Sequence, residues 1–178
     1  MLKRYYPGGY ASSVFAIDFE KLYQRGYRGI LFDVDNTLVH HGDDSNPQVD
    51  ALFCRLHEMG FKTLLLSNNN ARRLERFNEN IQTRYIPLAN KPAPDAYEQA
   101  VEMLGLTKGE TLCIGDQLFT DILGANRSGI DSILVQFIQV DPKAKIGIRR
   151  HVERWILRFY RRSARCQRLG DIQRTGEE

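Results

Sequence analysis

The stretch "ILFDVDNTLV", residues 30–39, carries three apolar residues into Asp33, then Val34, Asp35, Asn36 and Thr37, before turning apolar again. With the residues before it, "YRGILFDVD" (27–35) is too short and too rich in β-favouring residues for a helix and reads as a buried strand. Alternate residues of an extended chain share a face, so Asp33 and Asp35 leave the strand end in the same direction. Two carboxylates held on one side repel each other unless a cation sits among them.

Two further apolar runs break into polar residues in the same way. These are "FKTLLLSNN" (61–69) and "ETLCIGD" (110–116), the second continuing into "QLFTD" (117–121). Helical patterns separate them. "NPQVDALFCRLHEMG" (46–60) has Val49, Leu52, Phe53 and Leu56 at helical spacing, Pro47 near its start and Gly60 at its end. "ARRLERFNEN" (71–80), "APDAYEQAVEMLG" (93–105) and "FTDILGANRSG" (119–129) also read as helices, and a short one is expected over 18–24. "TRYIPLA" (83–89) is a weaker strand, demoted by Pro87, and "DSILVQFI" (131–138) is the last strand. The opening residues around Pro7-Gly8-Gly9 read as loop. Alternation of strand and helix with short connections predicts an α/β fold with a doubly wound parallel sheet.

The carboxyl ends of the strands in such a sheet form the crevice where ligands bind, so the polar clusters should converge there. Asp116 or Asp121 would then join Asp33 and Asp35. Hard oxygen ligands with room for water suit Mg²⁺, and a phosphate ester would complete its shell.

The 178 residues hold about one domain, 42% hydrophobic and 26% charged, as in an ordinary globular protein. No run approaches the ~20 apolar residues of a spanning helix, and the first residues lack the apolar core of a signal peptide. A cytoplasmic protein is expected. Cys54, Cys113 and Cys166 have neither metal-ligand nor CxxC spacing, and the first two are expected to fill the core. His40 and His41, in "HHGDDSN", read as an exposed loop, and Asn36 and Thr37 as supports of the turn after Asp35.

Taken together, "DVDNTLV", "SNN", Lys91 in "NKPAPDAY" and "GDQLFTD" resemble, in order, the four motifs of haloacid dehalogenase-type (HAD) phosphatases. The resemblance covers about residues 15–140. Within it, the wording is similar to the capless subgroup, subfamily IIIA, that contains phosphatidylglycerophosphate phosphatases and their bacterial relatives. It implies a HAD-like Rossmannoid fold without a cap domain, since the intervals from Asp33 to Ser67 and from Ser67 to Lys91 each hold a single helical unit. It also implies a Mg²⁺-dependent phosphomonoesterase. Asp33 would be the nucleophile and Asp35 the general acid and then base, with its backbone carbonyl on the metal. Lys91 would stabilise the phosphoryl group, Ser67 and Asn68 would hold its oxygens, and Asp116 and Asp121 would serve the metal together with Asp33. Phosphatidylglycerophosphate is the substrate the subgroup implies. The alternatives are a soluble phosphatase of a sugar phosphate, nucleotide or phosphoprotein, and a nucleic-acid or ribosome-associated binding protein on the same fold.

The net charge of +3 is unevenly placed: between Lys143 and Arg168 ten basic residues face Glu153 alone. We therefore expect a phosphatase domain over 1–142 and a basic amphipathic helix and tail over 143–178. On a wheel from Ile148 to Arg165, Ile148, Val152, Trp155, Ile156, Phe159 and Tyr160 fall on one side. Arg150, Arg154, Arg158, Arg161, Arg162 and Arg165 fall opposite, and Arg149 and Leu157 break the pattern. That is the pattern of a helix lying on an anionic membrane surface. A helix packed on the domain with a solvated basic face, and a nucleic-acid surface, are the other readings. No nucleic-acid motif accompanies the tail.

Overall fold

The computed structural model describes residues 2–138, 148–164 and 166–173, with the backbone alone for 148–150. Six strands, β1 (Gly9–Ala11), β2 (Gly29–Phe32), β3 (Lys62–Leu66), β4 (Arg84–Ile86), β5 (Thr111–Gly115) and β6 (Asp131–Val135), form one sheet in the order β1-β6-β5-β2-β3-β4. Every pairing is parallel. The chain runs outward from β2 through β3 to β4, then crosses back to β5 on the other flank of β2. That reversal opens a crevice between the carboxyl ends of β2 and β5.

Helices cover both faces, so the central strands are apolar on both sides. Ile30 and Phe32 pack with Phe19 and Leu22 of α1 (Phe19–Gln24) and with Val49, Phe53 and Leu56 of α2 (Pro47–Glu58). Leu31 points the other way, to Tyr97 and Ala100 of α4 (Asp95–Leu104) and Ala125 of α5 (Leu123–Ser128). The helices start where their caps direct: Asn46 accepts from the amides of Gln48 and Val49 ahead of α2, and Asn70 from that of Arg73 ahead of α3 (Ala71–Phe77). Among the described residues no separate cap domain covers the crevice.

Several local expectations are corrected. The opening segment is not all loop, because Gly9–Ala11 adds an edge strand against β6. Cys54 does not fill the core; α2 buries Val49, Leu52, Phe53 and Leu56, which turns Cys54 outward beside Glu58. Cys113 is buried as expected. The helix expected over 119–129 begins with a π-helical turn, Leu118–Ile122, before α5.

The last described helix, α6 (Ile148–Arg161), divides the apolar residues that the wheel grouped together. Ile156 and Tyr160 are buried against the domain, Tyr160 edge-on to Tyr6, whereas Val152, Trp155 and Phe159 are 42%, 53% and 42% exposed. Leu157, off the pattern on the wheel, packs half-buried against that group, and Glu153 is buried where it accepts the Leu118 amide at 3.0 Å. Beyond the helix, Leu169 and Ile172 return to the main core, and the Ile172 carbonyl accepts from the Asp18 amide. Lys143, Lys145, Arg165 and the boundary expected at 142–143 lie outside the described residues, as do the side chains of Ile148, Arg149 and Arg150. None of the described helices is long and apolar enough to cross a membrane.

Candidate active site

Asp33 follows directly on β2, its amide still bonded to the Ile114 carbonyl of β5 at 2.9 Å, so the ladder itself sets where its side chain emerges. The chain then turns tightly. Asn36 adopts a left-handed conformation with φ 64°, its amide bonds the Val39 carbonyl, and the Thr37 hydroxyl lies 3.1 Å from Asp33 Oδ2 and 3.5 Å from Asp116 Oδ1. Thr37 and Asn36 therefore support the turn as expected.

Ser67 ends β3, and its Oγ accepts from the amides of Asn69, backbone and side chain, at 3.2 Å each. Asn68 reaches across to the loop after β4, where its Oδ1 accepts the Lys91 amide at 2.7 Å and its Nδ2 faces the Lys91 carbonyl at 3.4 Å. This clamp aims the Lys91 side chain inward. Its ammonium donates to Asp33 Oδ1 and to Asp121 Oδ1, both at 2.6 Å, and only 4% of the side chain is exposed. Asp121 arrives on the π-helical turn, whose widened geometry brings its other oxygen within 3.1 Å of the Gln117 amide.

Charge in this cluster follows from burial and pairing. Burial pushes the Asp33 carboxyl up to about 6, with Lys91 opposing the rise and Asp121 adding to it. Burial works against the charge on Lys91 too, but Asp121 and Asp33 outweigh it and hold the ammonium far above its ordinary value. Asp33, Asp116 and Asp121 each present a carboxylate oxygen within 4.8 Å of the others. This compact, all-oxygen donor set fits a hard divalent cation such as Mg²⁺.

Asp35 shares the pocket but has different partners. Burial raises its carboxyl, yet the Gly42 amide, Asn69 and Arg73 outweigh that and keep it below its usual value. Arg73 Nη2 donates to Asp35 Oδ1 at 3.0 Å, Asn69 Nδ2 bonds the other oxygen, and His41 Nδ1 lies 3.3 Å away. Asn69 and Arg73 were not singled out from sequence. Asn69 stood beside Asn68 in a run of three asparagines, but nothing local marks Arg73, which comes from α3 and whose link to Asp35 depends on how that helix docks. His41 is exposed, as its loop implied, and belongs to this rim.

The structure thus gathers Asp33, Asp35, Ser67, Asn68 and Lys91 around one open pocket of about 180 Å³, with Gln117 and Thr120 on its far wall. Asp116 and Asp121 lie behind Asp33. Gly115 makes room for this: a methyl there would land inside the Asp121 side chain. Gly115→Ala should therefore push Asp121 off Lys91. The expected result is a kcat lowered roughly 10- to 100-fold and a fold weakened by about 1–3 kcal/mol, read from p-nitrophenyl phosphate turnover and urea denaturation.

A model of HAD-hydrolase-like proteins matches residues 88–137, which include Lys91, Asp116 and Asp121. The chain is similar to "Probable phosphatase YqeG" of Bacillus subtilis, 37% identical over 169 residues that cover 94% of this chain and 98% of that one. It is also similar to "Phosphatidylglycerophosphate phosphatase 1, chloroplastic/mitochondrial" of Arabidopsis thaliana, 27% identical over 131 residues, covering 67% of this chain and 37% of that longer protein. A solved HAD phosphatase from Thermococcus onnurineus shares the fold, with a TM-score of 0.52, 15% identity, and coverage of 68% of this chain and 89% of that one. Identity of 37% over nearly the whole of this chain and of the B. subtilis protein, with all four motifs meeting in one crevice, means that the chain belongs to the HAD-like hydrolases, in the phosphatase family of the B. subtilis protein.

Proposed function

We propose that this phosphatase hydrolyses phosphatidylglycerophosphate to phosphatidylglycerol at an anionic membrane surface, using Mg²⁺ and an aspartyl-phosphate intermediate. One observation carries the chemistry: Lys91 is held between Asp33 and Asp121 in a pocket that Asp35 also lines. An Asp33 oxygen attacks phosphorus as the bond to the leaving oxygen breaks, and Asp35 delivers a proton to that oxygen. Water then attacks the phosphoryl group with Asp35 taking its proton, which releases phosphate and restores Asp33. Lys91 balances the charge on the phosphoryl oxygens, and the hydroxyl of Ser67 with nearby backbone amides holds those not transferred. Asp33, Asp116, Asp121 and the Asp35 carbonyl are the groups that would hold Mg²⁺, which would supply further positive charge to the phosphoryl group. The Gly42 amide, Asn69 and Arg73 favour the ionised form of Asp35, which the second step needs. The first step needs it protonated, so its ties to Asn69 and Arg73 must then give way.

The substrate reading rests on the Arabidopsis relative's name, on the uncapped pocket, and on α6. Val152, Trp155 and Phe159 project from α6 beside Arg154, Arg158, Arg161 and Arg162, an apolar tip ringed by cations that suits an anionic lipid interface. Removing the whole helix would strip buried Ile156 and Tyr160 from the domain, so Trp155→Ser/Phe159→Ser is the cleaner test. About half of each ring is exposed, so its loss should cost about 1 kcal/mol of membrane burial per ring, and vesicle affinity should fall on the order of 30-fold. The assay pairs sedimentation with anionic vesicles and Mg²⁺-dependent phosphate release from phosphatidylglycerophosphate and from soluble sugar phosphates, nucleotides and phosphopeptides. Lipid turnover that falls with vesicle binding supports the proposal. Turnover confined to soluble esters, or none without regard to Mg²⁺, ends it.

A further inference from the structure

Beside the phosphate pocket lies a second and larger space. A groove of about 380 Å³ runs between α6 and the carboxyl ends of β1, β5 and β6. Asp116 lines it and the next residue, Gln117, lines the phosphate pocket, so the two spaces adjoin at a single peptide. They are also tied from the other side. The amide of Ile138, next to groove residue Phe137, donates to the carbonyl of Asn36, on the turn that carries Asp35, at 3.0 Å.

Its lining is amphiphilic in a definite pattern. Leu118, Leu134 and Leu157 form apolar wall, and Arg154 and Arg161 stand on the α6 side. Positions 154, 157 and 161 follow at spacings of three and four, so they make one stripe along the helix, with a leucine between two arginines whose backbone positions are about 10 Å apart along its axis. Both arginines are exposed, and Arg154 Nη2 lies 2.7 Å from His151 Nδ1. Two carboxylates also line the groove, Asp116 and the buried Glu153, which accepts the Leu118 amide at 3.0 Å. The stripe thus sets two exposed arginines beside the leucine wall of the groove.

We propose that this groove binds the part of the substrate that is not hydrolysed: a second, phosphodiester group on Arg154 and Arg161, with the adjoining apolar portion along Leu118, Leu134 and Leu157. The inference rests on the lipid-phosphate reading above and deepens it. It makes Arg154 and Arg161 specificity-determining residues that contact the substrate itself, in addition to any attraction they exert on a membrane. Paired guanidinium groups suit a phosphodiester because each can donate two hydrogen bonds to its oxygens. A phosphomonoester without a second phosphate would leave them idle.

The test separates the groove from the membrane by using a substrate that needs no membrane. Deacylated phosphatidylglycerophosphate keeps one monoester and one diester phosphate but dissolves freely, whereas glycerol 3-phosphate has the monoester alone. The ratio of kcat/KM for the first over the second is measured for the wild type, Arg154→Ala/Arg161→Ala and Arg154→Lys/Arg161→Lys. The alanine pair should lower that ratio at least about tenfold, chiefly through KM, and the lysine pair should recover part of it. An unchanged ratio alongside slower turnover of the intact lipid in vesicles overturns the groove assignment and leaves the arginines a membrane role only. A wild type inert toward both the intact and the deacylated lipid, while active on other monoesters, removes the substrate reading and the groove assignment with it.

Discussion

Asp33→Asn should yield a folded protein whose turnover of any phosphomonoester falls on the order of a thousandfold or more, because the amide oxygen cannot form the covalent intermediate. The structure indicates why folding should survive. Lys91 loses one carboxylate but keeps Asp121 at 2.6 Å, so its buried charge remains paired. The amide oxygen of asparagine can still accept from Thr37, which lies 3.1 Å from the present Oδ2. Unchanged far-UV circular dichroism together with lost phosphate release is the expected pair of results. Turnover within about tenfold of wild type would refute the role given to Asp33.

Lys91→Met should be costly in two ways that can be measured apart. Methionine fills much of the same space but removes the ammonium that bridges Asp33 and Asp121, leaving two largely buried carboxylates facing each other. Breaking a buried ion pair by deleting one partner typically costs about 3–5 kcal/mol, and the urea midpoint should fall accordingly. Turnover should drop on the order of 100-fold or more, since a positive group aimed at the phosphoryl oxygens is lost. The two effects should then respond differently to Mg²⁺. If Asp33, Asp116 and Asp121 hold the cation, Mg²⁺ should raise the melting temperature of Lys91→Met more than that of the wild type, because it relieves a repulsion the wild type does not suffer. Activity should stay low at every Mg²⁺ concentration. A variant as stable as wild type without metal would mean that the lysine is not the neutralising partner of these carboxylates.

Much of the site could be read from sequence because its parts are local. Each of the strands ending at Asp33, Ser67 and Asp116 announces itself as an apolar run that breaks into polar residues. A parallel sheet aligns such breaks at one edge, so strand order scarcely matters to the conclusion that they meet. Lys91 was found through its motif wording alone. Its pairing with both Asp33 and Asp121, across 58 and 30 residues of chain, has no local signature.

What stayed hidden depends on how elements dock. Arg73 reaches Asp35 only because α3 lies where β3 and its loop place it, 38 residues further along the chain. The three-residue edge strand β1 is too short for periodicity to register, and it exists because β6 offers an open ladder. Cys54 sits one step around α2 from the buried Phe53, where a wheel decides little without knowing how wide the covered stripe is. α6 makes the point most plainly. The wheel sets most apolar residues apart from the arginines, with Leu157 an exception between Arg154 and Arg161, but it cannot say which apolar residues meet the domain and which meet solvent. Ile156 and Tyr160 went to the domain; Val152, Trp155 and Phe159 did not. Sequence by itself determined the strand ends, their chemistry and the fold class, since side-chain period and strand termini are properties of the chain over a few residues. Tertiary structure alone decided the partners of Asp35, the double pairing of Lys91 and the exposed aromatic tip of α6, since each depends on contacts between segments that no local pattern encodes.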